Sequence, residues 1–192
     1  MYSTKSLEVS NSEAILTTER LILRPLSWDD LDDIHALHSD PMVDRYNTLG
    51  IPMHINITEE VIRPIIENQQ QKPQGRFGWT IRLKSDNSFI GEAGLFTQND
   101  RFRRAEIHYH IIPPLWRKGY GTEAAKALIR FGLEGLNLHR VEAGVATENI
   151  GSWRVLEKAG MTREGLRRKI LPIRGEWYDN YLYAILDSDF KP

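Results

Sequence analysis

The residues best suited to chemistry in this 192-residue chain fall in three places. The first is the run Trp116-Arg117-Lys118-Gly119-Tyr120-Gly121-Thr122. Its glycines let the backbone turn tightly and come close to a ligand. A helix that starts here leaves its first N–H groups unpaired and pointing outward, and with the helix dipole they make a site for phosphate. Arg117 and Lys118 add positive charge at the mouth. A plain strand-to-helix turn with two exposed bases is the simpler alternative. The second place is Glu106 and His108, two residues apart and so on one face of a strand. A carboxylate serves as a base near neutral pH if its pKa is raised or a water relays the proton. An imidazole starts from a pKa of about 6.5, which suits the same task. Both also have ordinary roles: Glu106 as an ion-pair partner of Arg103 or Arg104, His108 as packing. The third place is Asn149 and Ser152, spaced as the cap and first turn of a helix, where capping is the simplest role.

Two nucleotide-binding patterns compete for the glycine run. A P-loop needs a Gly-Lys-Ser/Thr after four spacer residues, and the chain has none. A dinucleotide fingerprint fits better, because Gly119-x-Gly121-x-x-Ala124 matches it and Glu142 follows about 20 residues later. That fingerprint normally sits directly after its strand, whereas Pro113 to Lys118 intervene here. A nucleotide-dependent oxidoreductase is therefore the alternative function, and it requires repeated strand-helix units before Gly119.

The elements around these residues follow from periodicity. Arg20 to Leu26 alternates as a strand. Ser27 looks like an N-cap, with Asp29 and Asp30 in the first turn and Leu31, Ile34 and Leu37 as the buried stripe. Residues 40–57 read as a semi-ordered stretch, a candidate lid. Thr58 would cap a second helix carrying Val61, Ile62, Ile65 and Ile66, disturbed or shortened by Pro64. Trp79, Ile81 and Leu83 alternate, Phe89 to Phe96 returns, and Ala105 to Ile112 alternates again. On that third strand Glu106, His108 and His110 share one face, and Ile107, Tyr109 and Ile111 the other. These strands read as an antiparallel meander. Gly119 to Phe131 is a helix with Ala124, Ala127, Leu128 and Phe131 inward. Val141 to Ala146 is a strand, and Asn149 to Lys158 a helix stopped by Gly160. Thr162 to Leu171 and Trp177 to Leu186 form a last hairpin turning at Arg174-Gly175. The pattern predicts a single α+β domain over residues 16–190, after a flexible segment of residues 1–15.

Composition excludes several function classes. Hydrophobic residues make up 41% of the chain, enough for one full core. A formal net charge of −1 removes any bulk electrostatic drive toward nucleic acid. With no cysteine, disulfides, thiolate zinc sites and a cysteine nucleophile are ruled out. The sequence shows neither a charged leader with an apolar run nor an apolar stretch approaching the roughly 18 residues of a membrane span. A cytoplasmic protein, with no membrane partner and no metal at its site, is expected.

The motifs together resemble the GCN5-related N-acetyltransferases (GNAT), and among them the RimJ/RimL-type group. The resemblance rests on Thr18-Glu19-Arg20-Leu21-Ile22-Leu23-Arg24-Pro25, Ala105 to Ile111, and Pro114 to Ala124. It continues in Asn149-Ile150-Gly151-Ser152, Leu156-Glu157-Lys158-Ala159-Gly160-Met161, Glu164-Gly165 and Asp179 to Ala184. It covers roughly residues 16–188. It implies a mixed, mostly antiparallel sheet of about seven strands, splayed in the middle and flanked by about four helices. It implies acetyl-CoA as co-substrate and an amine as acceptor: a protein N-terminus, such as that of a ribosomal protein, or a small amine. A homodimer is left open, as is a CoA-binding module without turnover.

The resemblance also implies roles. The pantetheine arm would pair with backbone groups near Ile111 and Ile112. The pyrophosphate would rest on the N–H groups of residues 117–122. Trp116 stands where the wider family usually has Gln or Arg, as is common in the RimJ/RimL group. Glu106 would deprotonate the amine, directly or through water, with His108 as the competing base at a position more often Gly. Asn149 would hold the pantetheine arm and Ser152 would protonate the leaving sulfur. The tyrosine that many relatives place four residues after the serine is Leu156 here, so that general acid is excluded.

Overall fold

The computed structural model describes residues 15–69, 71 and 75–191, with 98–100 described by their backbone alone. The segment expected to be flexible, residues 1–15, lies outside the described residues except for Ile15. The strands are β1 Leu16–Thr17, β2 Leu21–Pro25, β3 Arg76–Leu83, β4 Phe89–Asn99, β5 Arg104–Ile111, β6 Arg140–Ala146, β7 Thr162–Ile173 and β8 Glu176–Leu186. The helices are α1 Leu31–His38, α2 Pro41–Asp44, α3 Ile55–Asn68, α4 Tyr120–Arg130 and α5 Ile150–Lys158. The strands form one sheet in the order β1-β2-β3-β4-β5-β6-β8-β7. All neighbours are antiparallel except β5 and β6, which run parallel through the α4 crossover. The expected mixed α+β sheet is present, with eight strands where about seven were predicted because β1 is a two-residue addition.

This order removes the dinucleotide reading. The strand before Gly119 is the last of an antiparallel meander, β2 to β5, where that fold requires parallel strand-helix units.

One face of the sheet carries the main core. Leu23, Trp79, Ile81, Leu95 and Ile107 meet Ala125, Leu128 and Ile129 of α4 and Leu156 of α5. The buried stripe of α4 is Ala124, Ala125, Leu128 and Ile129. Ala127, expected to face inward, is only partly buried, because the 3.6-residue period centres the stripe between two adjacent rows. A smaller cluster of Leu26, Ile34 and Ile62 lies under α1 and α3 on the opposite face.

Two expectations about α3 need correction. The helix begins at Ile55, not at Thr58, which is buried with its hydroxyl 2.8 Å from His35 Nδ1 and so fastens α3 to α1. Pro64 stays inside a continuous helix. Its missing N–H frees the Glu60 carbonyl, but both residues are exposed and water can take that bond. Residues 40–57, read as semi-ordered, contain α2 and the start of α3. Among the described residues, no helix is long and apolar enough to cross a membrane.

Candidate active site at the strand fork

β5 and β6 pair only from Arg104↔Arg140 to Glu106↔Glu142. Beyond that point β5 follows β4 to Ile111 while β6 follows β8 to Ala146. The two strands part there, and Glu106 stands at the crotch of the fork.

The β4–β5 ladder fixes which backbone groups face the gap. The N–H of Ile112 donates to Ile90 at 2.9 Å. Even-numbered β5 residues therefore bond to β4, and Ile107, Tyr109 and Ile111 turn their backbone groups toward the gap. Ile112, expected to face it, does not, and its carbonyl accepts from Leu115 at 3.0 Å. Successive residues of a strand point their N–H groups to opposite sides, so Ile111 and Ile112 cannot both face one cleft. The Ile111 carbonyl receives the Trp116 indole N–H at 2.5 Å, which seats that ring at the end of the gap.

The glycine run closes the same end. Arg117 and Gly119 have φ of 63° and 86°, in the left-handed region. Gly119 is the residue before α4, whose first intrahelical bond runs from Glu123 N–H to Gly119 C=O at 3.0 Å. The N–H groups of Tyr120, Gly121 and Thr122 thus open from the helix end. The run is tied to the start of β2. Arg20 donates to the Lys118 carbonyl at 3.0 Å and lies over the Tyr120 ring, 4.4 Å from its centroid. Glu123 accepts from Thr18 Oγ1 at 2.5 Å and from Arg20 N–H and Nε at 2.8 and 2.7 Å. Against the opposing cost of burial, these bonds hold the Glu123 carboxyl below the usual range. Gly121 packs close to Tyr109, Ile111 and Val155, so the helix start abuts the gap.

α5 supplies the third cluster. Asn149 caps it, with Oδ1 accepting from Ser152 N–H at 3.2 Å. The Tyr109 hydroxyl donates to the Ser152 carbonyl at 3.2 Å and lies 3.3 Å from Ser152 Oγ. Burial pushes the Tyr109 hydroxyl pKa up, so it stays protonated.

Electrostatics separate the two candidate bases. Glu106 opens to solvent at the mouth of the fork, yet protein surrounds its carboxyl on other sides. That desolvation, with the charge of Glu142, raises its pKa, while Arg167, Arg104 and the Gly144 N–H pull the other way. The His108 ring stacks on Phe96, 5.1 Å between centroids, in space that Gly94 leaves free. Burial pushes its pKa down to about 4.

The chain matches the acetyltransferase (GNAT) domain family over residues 20–162. It is a GNAT acetyltransferase. It is 33% identical over 176 residues to the uncharacterized N-acetyltransferase YnaD of Bacillus subtilis, covering 92% of this chain and 99% of that one. Among solved structures it resembles a GNAT-family acetyltransferase of Bacillus anthracis, with 30% identity, a TM-score of 0.78, and 91% and 99% of the two chains covered. RimJ of Mycobacterium smegmatis, in complex with CoA-disulfide, shares the fold at 22% identity and a TM-score of 0.78, with 90% and 84% covered. N-acetyltransferase is thus the function that the relatives of this chain carry in their names.

In this GNAT enzyme Glu106, Tyr109, Ile111, Trp116, the glycine run and the Asn149–Ser152 cap border one gap. His108 shares its face of β5 with Glu106 but stacks on Phe96 instead of standing at the fork. Sequence reasoning missed Tyr109, which it placed only on the strand face opposite Glu106. The available signal was that a buried tyrosine hydroxyl needs a partner. It also missed the Thr18–Arg20–Glu123 anchor, in which Glu123 lies more than 100 residues along the chain from the other two.

Proposed function

We propose that this enzyme moves the acetyl group of acetyl-CoA to an amine, either a protein N-terminus or a small amine, by direct attack within the β5–β6 fork. The observation that carries the reading is the position of Glu106, the last paired residue at a parting of two parallel strands, with a raised pKa. The pantetheine amides pair with the gap-facing backbone of Tyr109 and Ile111, and the Asn149 side-chain amide adds a contact. The pyrophosphate rests on the N–H groups of residues 117–122, with Arg117 and Lys118 nearby. Trp116 bounds the end of the gap.

The co-substrate supplies an activated thioester carbonyl. Glu106 takes the proton that the acceptor ammonium must lose, directly or through a water, which its raised pKa favours. The amine lone pair then attacks the carbonyl carbon, a C–N bond forms and the C–S bond breaks. Ser152 Oγ gives a proton to the departing sulfur and regains one from the nitrogen, which sheds its second proton as it becomes the amide, and the Tyr109 hydroxyl holds Ser152 in place. His108, with its depressed pKa and its place beside Phe96, is the weaker base.

The test is product analysis with acetyl-CoA and a panel of N-terminal peptides and small amines. Acetylated amine and free CoA in equal amounts support the reading. Hydrolysis of acetyl-CoA alone, with every acceptor unmodified, would sink it.

A further inference from the structure

On the sheet face opposite the main core, a row of polar side chains crosses three strands. Thr80 of β3 is the partner of Glu92 in β4, and Glu92 is the partner of His110 in β5. Cross-strand partners emerge side by side on one face. α1 lowers His38 onto this row. His38 Nε2 lies 2.6 Å from Glu92 Oε1, and His110 Nδ1 lies 3.0 Å from the same oxygen. One donor atom from each of the three residues lies within 4.8 Å of the other two. His38 and Glu92 are buried, and His110 is half-buried.

We propose that His38, Glu92 and His110 form a binding site for one divalent cation of the Zn2+ type, with a fourth position for water. Two imidazole nitrogens and a carboxylate are a ligand set that such a cation favours. Donor atoms around a tetrahedral Zn2+ with bonds of about 2.0–2.1 Å stand roughly 3.3 Å apart. The two separations from Glu92, 2.6 and 3.0 Å, are shorter than this by roughly 0.7 and 0.3 Å, so side-chain rotation must open the site around the ion. Among the described residues, the ion-pair partners of Glu92 are these two histidines. A separate observation points to a further ligand. Thr80 is fully buried, and among the described residues its Oγ1 has no hydrogen-bond partner. Glu92 and its histidines bond to one another and leave that hydroxyl unsatisfied, whereas a metal-bound water beside Glu92 gives it a partner.

The site stands apart from the acetyl-transfer chemistry. His110 is four residues beyond Glu106 on β5, roughly 13 Å along the strand. The cation therefore fastens α1 to β4 and β5 and takes no part in moving the amine proton.

The experiment uses tag-free full chain stripped with chelator and titrated with Zn2+ alone by calorimetry, then with Co2+ for its d–d spectrum. One equivalent of Zn2+, a tetrahedral Co2+ spectrum and a Tm that rises with Zn2+ and falls with chelator are expected. His110→Ala, at the half-buried position, should weaken Zn2+ binding by more than roughly 100-fold, beyond the loss of a merely orienting group. Its Tm in chelator should stay near that of the stripped wild type. Glu92→Gln should act alike where it folds. A stripped wild type that binds no Zn2+ overturns the proposal, as does undiminished binding by folded His110→Ala.

Discussion

Glu106 is a carboxylate whose protonated form the fold favours, and both activity and stability should register this. Glu106→Gln should lower kcat by about 100-fold, the usual scale for losing a positioned base, while acetyl-CoA affinity is unchanged by calorimetry. Wild-type turnover in this variant would move proton removal to a water. In the proposed role Glu106 works only when ionised, so the acid limb of the kcat/KM profile should lie above the ordinary glutamate range, because the pKa is raised. Stability follows the same sign. A carboxyl with a folded pKa above its unfolded one costs stability where it is ionised, above the folded pKa, and the cost vanishes as pH falls below the unfolded value. Glu106→Gln should therefore melt no lower than wild type at pH 7 and lose any advantage in acid, as thermal unfolding at several pH values would reveal. Ser152 and Tyr109 should behave as one unit. Ser152→Ala and Tyr109→Phe should each slow turnover, and the double variant should be little worse than Ser152→Ala. Fully additive losses would separate their roles.

At the scale of the elements, the junction of β5 with α4 matters most. Gly119→Glu places a negative charge at the proposed pyrophosphate site and a side chain on a backbone at φ 86°. It should abolish acetyl-CoA binding in a folded protein. Unchanged affinity would refute the placement of the pyrophosphate. The meander that carries Glu106 depends on a different glycine. A Cβ at Gly91 would lie 2.0 Å from the His110 carbonyl oxygen, which is backbone and cannot turn away. Gly91→Ala should destabilise the protein by about 3 kcal/mol, typical of forcing atoms into packed structure, and urea unfolding would measure it. The α5 cap and the Arg174-Gly175 turn were legible because each uses a residue type that its geometry demands. The start of α3 was not legible, because Thr58 resembles a cap in sequence and is instead a buried bond to α1.

The whole molecule joins the last hairpin to the first third of the chain. The β7–β8 hairpin returns toward the first third of the chain, where Arg174 donates to the Asp44 side chain at 2.8 Å and to its carbonyl at 3.2 Å. Asp44 is buried, so this long-range contact fixes the hairpin tip against α2. Arg174→Ala should raise KM for the acceptor while leaving the KM of acetyl-CoA in place, which a steady-state split would report. Equal effects on both would make the contact a general support of the fold.

Local signals determined the meander, the crossover helix, the glycine run before it and the cap at Asn149, since each rests on periodicity or on a residue's own backbone preference. Those signals, with the order of the motifs, were enough to indicate a GNAT acetyltransferase. They could not determine where β5 leaves β6, because pairing between strands more than 30 residues apart leaves no local mark. Only tertiary packing aligned Ile111 with the gap and turned Ile112 toward β4. It raised the pKa of Glu106 and lowered that of His108, two histidine-or-acid positions on one face with different neighbours. It also brought His38 from α1 onto Glu92 and His110, since a cluster drawn from three elements exists only when a helix is laid across a sheet.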